Sequence, residues 1–78
     1  MLQYKYMNSQ KLDKTTRIKL GEQIKEAREQ LGWTQSEVAE KARMTVNYFA
    51  MIERGEVNPS FDKIKGIARV LKLKLTIS

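Results

Sequence analysis

Apolar residues recur at helical intervals along the middle of the chain. Leu20, Ile24, Ala27 and Leu31 are spaced four, three and four apart, which places them on one stripe of a helix. The spacing predicts a first helix over about 16–31, with Gly32 as a left-handed stop. Thr34-Gln35-Ser36-Glu37 reads as a capping box in which the Thr hydroxyl caps the helix and Glu37 reaches back. It starts a second helix over about 35–42, with Val38, Ala39 and Ala42 turned inward. Thr45 caps a third helix over 46–53 that buries Phe49 and Ile52, and Gly55 ends it. Asn58-Pro59-Ser60 reads as a turn with Ser60 as the next N-cap. A fourth helix over 61–71 carries Phe61, Ile64, Ile67, Ala68 and Leu71 on one side, although Gly66 inside it weakens the pattern.

After Leu71 the period changes from helical to two. Leu73, Leu75 and Ile77 alternate with Lys72, Lys74 and Thr76, which predicts a strand over 72–77. Leu2, Tyr4 and Tyr6 alternate in the same way, so a strand over 2–6 also fits. A single strand has no ladder of its own, so 72–77 must pair with the N-terminal segment or with a second subunit. The expected organisation is an all-α domain over 16–71, preceded by a basic arm over 1–15. A C-terminal dimerisation strand over 72–78 follows it.

Composition narrows the chemistry. The 78 residues contain neither Cys nor His. Disulfides, thiolate or imidazole metal sites and the usual Ser-His and Cys-His nucleophile systems are therefore excluded. The chain has room for one domain with a thin core, so oligomerisation is the remaining staple. An enzyme is not expected, and no metal or cofactor is implied. Glu29, Glu37 and Glu40 lie on helix surfaces and read as solvated or capping groups. There is no apolar run of bilayer length and no signal-peptide pattern at the start, so a cytoplasmic location is expected.

The net charge is +6, which favours a polyanionic partner without identifying one. It is unevenly placed. Residues 1–19 hold Lys5, Lys11, Lys14, Arg17 and Lys19 against Asp13, and residues 61–78 hold Lys63, Lys65, Arg69, Lys72 and Lys74 against Asp62. The stretch between them is slightly acidic. A nucleic-acid surface would therefore use a few placed cations and the chain ends.

Two short helices separated by about three residues, 43–45, have the spacing of a helix-turn-helix, whose second helix can enter the major groove. Leu20-Gly21, Ile24, Arg28, Gly32-Trp33-Thr34-Gln35, Val38-Ala39, Ala42, Thr45, Ile52-Glu53-Arg54-Gly55, Asn58-Pro59-Ser60, Ile67-Ala68 and Leu71 together resemble the Cro/C1-type (XRE) helix-turn-helix family of phage repressors and bacterial regulators. The resemblance runs over 20–73 and implies a bundle of four or five helices that binds double-stranded DNA.

By position, the resemblance implies that Val46, Asn47, Ala50 and Met51 face bases. It implies that Gln35, Thr45, Tyr48 and Arg54 touch the DNA backbone, with Lys63 and Lys65 near it. Arg28 and Glu53 are implied as a structural ion pair between the first and third helices. Bland readings stand beside these. Gln35 and Asn47 could be ordinary exposed polar residues, Tyr48 could be packing, and the basic N-terminus could be solvated rather than a DNA arm. Trp33 and Met44 read as packing residues.

The chain departs from the common family pattern on its reading face, where Val46, Ala50 and Met51 replace residues that hydrogen-bond to bases. Only Asn47 can make a bidentate pair, with adenine its natural partner, while Val46 and Ala50 suit a thymine methyl. DNA shape would then carry more of the specificity. Arg43 replaces a common turn Gly. It either adds a cation near the DNA backbone or leaves the left-handed conformation.

The C-terminal strand also gives a weaker resemblance to antitoxins of HipA-type kinase toxins, in which such a strand pairs across the dimer axis through positions matching Leu73, Leu75 and Ile77. The leading reading is a dimeric, sequence-specific DNA-binding repressor on an inverted-repeat operator, with a kinase-type toxin as a further partner in the antitoxin case. Alternatives are a phage repressor, a restriction-modification controller, or a protein-interaction module that keeps the fold without the DNA site.

Overall fold

The computed structural model describes residues 12–73. Four helices follow one another: α1 over Lys14–Gln30, α2 over Gln35–Lys41, α3 over Val46–Glu53 and α4 over Phe61–Leu71. The strands expected over 2–6 and 72–77 lie outside the described residues, apart from Lys72 and Leu73. Lys72 is left-handed, with φ of 59°, so an extended segment cannot begin before Leu73.

Each helix starts on a side-chain cap that accepts an otherwise unpaired backbone N–H. The Asp13 carboxylate accepts from Thr16 N at 2.8 Å. Thr34 and Glu37 form the expected reciprocal box, with Thr34 Oγ1 accepting from Glu37 N at 3.0 Å and Glu37 Oε1 accepting from Thr34 N at 2.8 Å. Thr45 accepts from Tyr48 N and Ser60 from Lys63 N. The Asp13 cap starts α1 two residues before the expected position, because an aspartate immediately ahead of Lys14 outcompetes the later threonines.

All four helices also end alike. A residue with φ between 59° and 75° stands at Gly32, Arg43, Gly55 and Lys72. The N–H groups of that residue and the next turn back onto the last turn. Gly32 N donates to Glu29 O and Trp33 N to Arg28 O, and the pattern repeats at Arg43/Met44, Gly55/Glu56 and Lys72/Leu73. These are Schellman closures. Trp33, Met44 and Leu73 fold back onto the core from three of them.

The core is Ile24 from α1, Val38 and Ala39 from α2, Phe49 and Ile52 from α3, and Ile67 and Leu71 from α4. Phe49 is its largest fully buried side chain and fixes α3 against the other helices. Leu31, expected on the buried stripe, is 40% exposed. The helix ends at Gln30, and the turn through Gly32 carries Leu31 off the stripe and brings Trp33 inward instead. Gly21 is buried where α1 crosses the end of α3, and a Cβ there would overlap the carbonyl oxygens of Ile52 and Glu53. This close crossing sets the height of α3 relative to α1.

Candidate nucleic-acid interface

The inward side of α3 is Phe49, Ile52 and Glu53. The opposite side presents Val46, Asn47, Ala50 and Met51, at successive i, i+4 positions. Val46 and Asn47 are exposed, and Ala50 and Met51 are half-buried. The four proposed base-facing residues thus share one outward face. Asn47 Nδ2 lies 3.8 Å from Met51 Sδ, so the amide rests over the next turn of its own helix. No charged side chain stands on this face before Arg54.

Thr45 is exposed and caps α3 with its hydroxyl. Tyr48 is half-buried and packs against the core, so its ring has a packing role whatever its hydroxyl meets. Lys63 is exposed in the first turn of α4, while Lys65 Nζ sits 5.7 Å from the ring of Phe61. Arg54 is exposed and pairs with Glu56, Nε to Oε2 at 2.8 Å and Nη2 to Oε1 at 3.0 Å. The pairing holds the Glu56 carboxyl below its ordinary value. It uses two of the five guanidinium N–H groups of Arg54 and leaves the other three free to donate.

Behind α3 the helices are joined by a buried polar network. Arg28 Nε and Nη2 donate to the two oxygens of Glu53 at 2.7 and 3.2 Å, the ion pair expected between the first and third helices. Arg28 Nη1 also donates to Trp33 O at 3.0 Å. Gln35 Nε2 donates to Glu53 Oε1 at 2.8 Å. The hydrogen bonds from Arg28 to Glu53 raise the guanidinium's pKa further, against the opposing effect of burial. One carboxylate therefore locks α1, the start of α2 and the end of α3 in register. Gln35 is at once the first residue of α2 and a member of this lock, a bond that spacing alone did not indicate.

Two further placements escape sequence reading. Arg17, counted with the basic N-terminal segment, is used inside the fold: Nε donates to Gly55 O at 3.1 Å and Nη1 to Leu12 O at 2.8 Å. Leu12 N in turn donates to Asn58 Oδ1. The chain entering α1 is thereby tied to the loop that follows α3. Arg43 keeps the left-handed conformation, with φ of 62°, so of its two alternatives the departure from that conformation does not occur. It lines a cleft of about 440 Å³ with Lys41 and Arg69, floored by Ala42, Gly66 and Val70. Lys41 and Arg69 are 28 residues apart, and no local pattern joins them. Leu73 packs on the domain's own core, while Leu75 and Ile77 lie outside the described residues. Among the described residues no group of three or more acidic side chains could hold a metal ion, and no helix is long and apolar enough to cross a membrane.

A helix-turn-helix family model matches residues 24–77. The chain is 35% identical over 57 residues to the immunity repressor protein of Bacillus phage phi105, covering 73% of this chain and 40% of that protein. It is 35% identical over 57 residues to the HTH-type transcriptional regulator SinR of Bacillus subtilis, covering 72% of this chain and 51% of SinR. The chain thus spans about half or less of the length of these curated relatives. The crystal structure of the restriction-modification controller protein C.AhdI from Aeromonas hydrophila superposes with a TM-score of 0.74 at 27% identity, covering 77% of this chain and 91% of that one. None of these three relatives is named as an antitoxin, so the weaker resemblance gains no support from them.

Proposed function

The chain belongs to the helix-turn-helix family, and we propose from that premise that it is a dimeric, sequence-specific transcriptional regulator of double-stranded DNA, acting as a repressor. The observation that carries this reading is the outward face of α3. Val46, Asn47, Ala50 and Met51 share it, and the helix is braced from behind by Phe49 and the Arg28–Glu53–Gln35 network. Such a helix can be pressed into a major groove without shifting on its scaffold. A phage repressor, a transcriptional regulator and a restriction-modification controller among its relatives support the same reading.

In this reading Asn47 pairs with an adenine after leaving Met51. Gln35 spends one N–H of its amide on Glu53 and offers the other to a phosphate. Thr45, Tyr48, Arg54, Arg43 and Lys63 line the DNA backbone. A two-fold dimer presents two copies of α3 to half-sites about one helical turn apart. Its contact is given to Leu73, Leu75 and Ile77, of which Leu73 also packs partly on the domain's own core. The protein works in the cytoplasm as a binding protein, not an enzyme.

Selection of bound duplexes from a random library, repeated across a salt series, tests this. An enriched inverted repeat whose binding weakens steeply with salt is expected. Asn47→Ala is expected to cost about 1–3 kcal/mol and to relax one base position, while Gln35→Ala weakens all sequences alike. Recovery of a protein partner with no enriched DNA would replace this reading with an interaction module.

A further inference from the structure

The outward face of α3 lacks the groups that read guanine and cytosine. Bidentate readout of guanine uses Arg or Lys, and readout of the cytosine amino group uses an acidic acceptor. Val46, Asn47, Ala50 and Met51 supply neither. Arg54 lies one turn on and is held by Glu56. What the face does supply is one amide and three apolar side chains. Val46 is the most exposed of them, 46% exposed at the first position of the helix, the end by which a recognition helix contacts base edges.

We propose that this face reads the C5-methyl group of pyrimidines, with Val46 as the principal contact. The inference rests on the DNA-binding reading above and names what that site selects. In unmodified DNA the only C5-methyl group in the major groove belongs to thymine. A side chain that detects the methyl alone does not distinguish thymine from 5-methylcytosine at that point. At the base pair facing Val46 the protein therefore rejects cytosine and accepts its methylated form. Binding becomes sensitive to cytosine methylation wherever a site carries cytosine there.

The two sources of the methyl group are separable. In the operator obtained by library selection, each thymine of a half-site is replaced in turn by deoxyuridine, cytosine or 5-methylcytosine, and affinity is measured for wild type and for Val46→Ala. Burying one methyl corresponds to about a fourfold change in affinity, and two half-sites double it on the logarithmic scale. At one thymine position, deoxyuridine is expected to lower affinity about fourfold when one half-site is substituted and about sixteenfold when both are. 5-Methylcytosine at that place is expected to bind several-fold better than cytosine. Val46→Ala trims a side chain that is 46% exposed and, by shortening the contact, is expected to shrink both differences. Equal binding of thymine and deoxyuridine at every position would overturn the inference while leaving the regulator intact. So would a penalty that persists unchanged in Val46→Ala. A library with no enriched sequence would remove the regulator reading and this inference with it.

Discussion

Glu53 and Arg54 are neighbours in the chain and belong to two different kinds of ion pair. Glu53 faces Arg28 with their side chains 3% and 11% exposed. It also accepts from Gln35, and Arg28 donates on to a backbone carbonyl. Arg54 faces Glu56 with both side chains about half exposed, two residues apart on one loop. The contact distances are nearly equal, 2.7 and 2.8 Å, so length does not separate them. The separation lies in water and in reach. The buried pair has no solvent to fall back on and joins segments 25 residues apart. The exposed pair exchanges freely with water and joins only itself. The first holds α3 in place, and the second leaves an exposed guanidinium beside the outward face of α3.

The comparison breaks most sharply at Arg28. Arg28→Ala leaves Glu53 buried without its cation and is expected to cost about 3 kcal/mol, read as a lower urea midpoint. A loss no larger than that of an exposed substitution would show that Glu53 rehydrates easily. Gln35→Ala removes one of three donors to the same carboxylate and should cost about 1 kcal/mol. The double variant should show strong coupling with Arg28→Ala, since both act on Glu53. Arg43 is a cation of a third kind, whose cost lies in its backbone. Arg43→Gly relieves a left-handed arginine and should stabilise the domain by about 1 kcal/mol, seen as a raised Tm.

At the exposed pair the expected effect on stability is smallest. Arg54→Ala should unfold only slightly below wild type at neutral pH, while weakening DNA binding. Its residual effect has a definite pH dependence. The Glu56 carboxyl is held below its ordinary value in the folded state by Arg54. The small stabilisation is therefore present above the ordinary carboxylate range and is lost as pH falls through the folded value. Wild type and Arg54→Ala should converge in unfolding midpoint once the pH has fallen below the lowered value that Glu56 has in the folded protein. Divergence in acid would assign Arg54 a structural role.

Much of this architecture was readable from local chemistry. Thr34, Thr45 and Ser60 cap within three residues, and Gly32 and Gly55 close the helices they follow, so element boundaries fell close to their sequence positions. Leu31 misled because helical spacing continues past a helix that has already closed. The apolar stripe does not mark Asp13 as the cap, because it begins later, at Leu20. The candidate reading face was legible as a set of positions, since α3 is one short helix with Phe49 and Ile52 marking its inner side. The state of its neighbours was not legible.

The sequence by itself determined where the four helices start and stop to within about two residues, and most of the apolar side of each, because caps, turns and periodicity act over three or four residues. Only the tertiary structure decided that Gln35 turns an N–H to Glu53, that Arg17 ties the entering chain to the loop after α3, and that Lys41, Arg43 and Arg69 share one cleft. It also decided that Arg43 endures a left-handed backbone instead of escaping it. Each of these depends on groups brought together from distant parts of the chain, or on a closure whose two hydrogen bonds and returning side chain outweigh a local preference. No short window of residues encodes that balance.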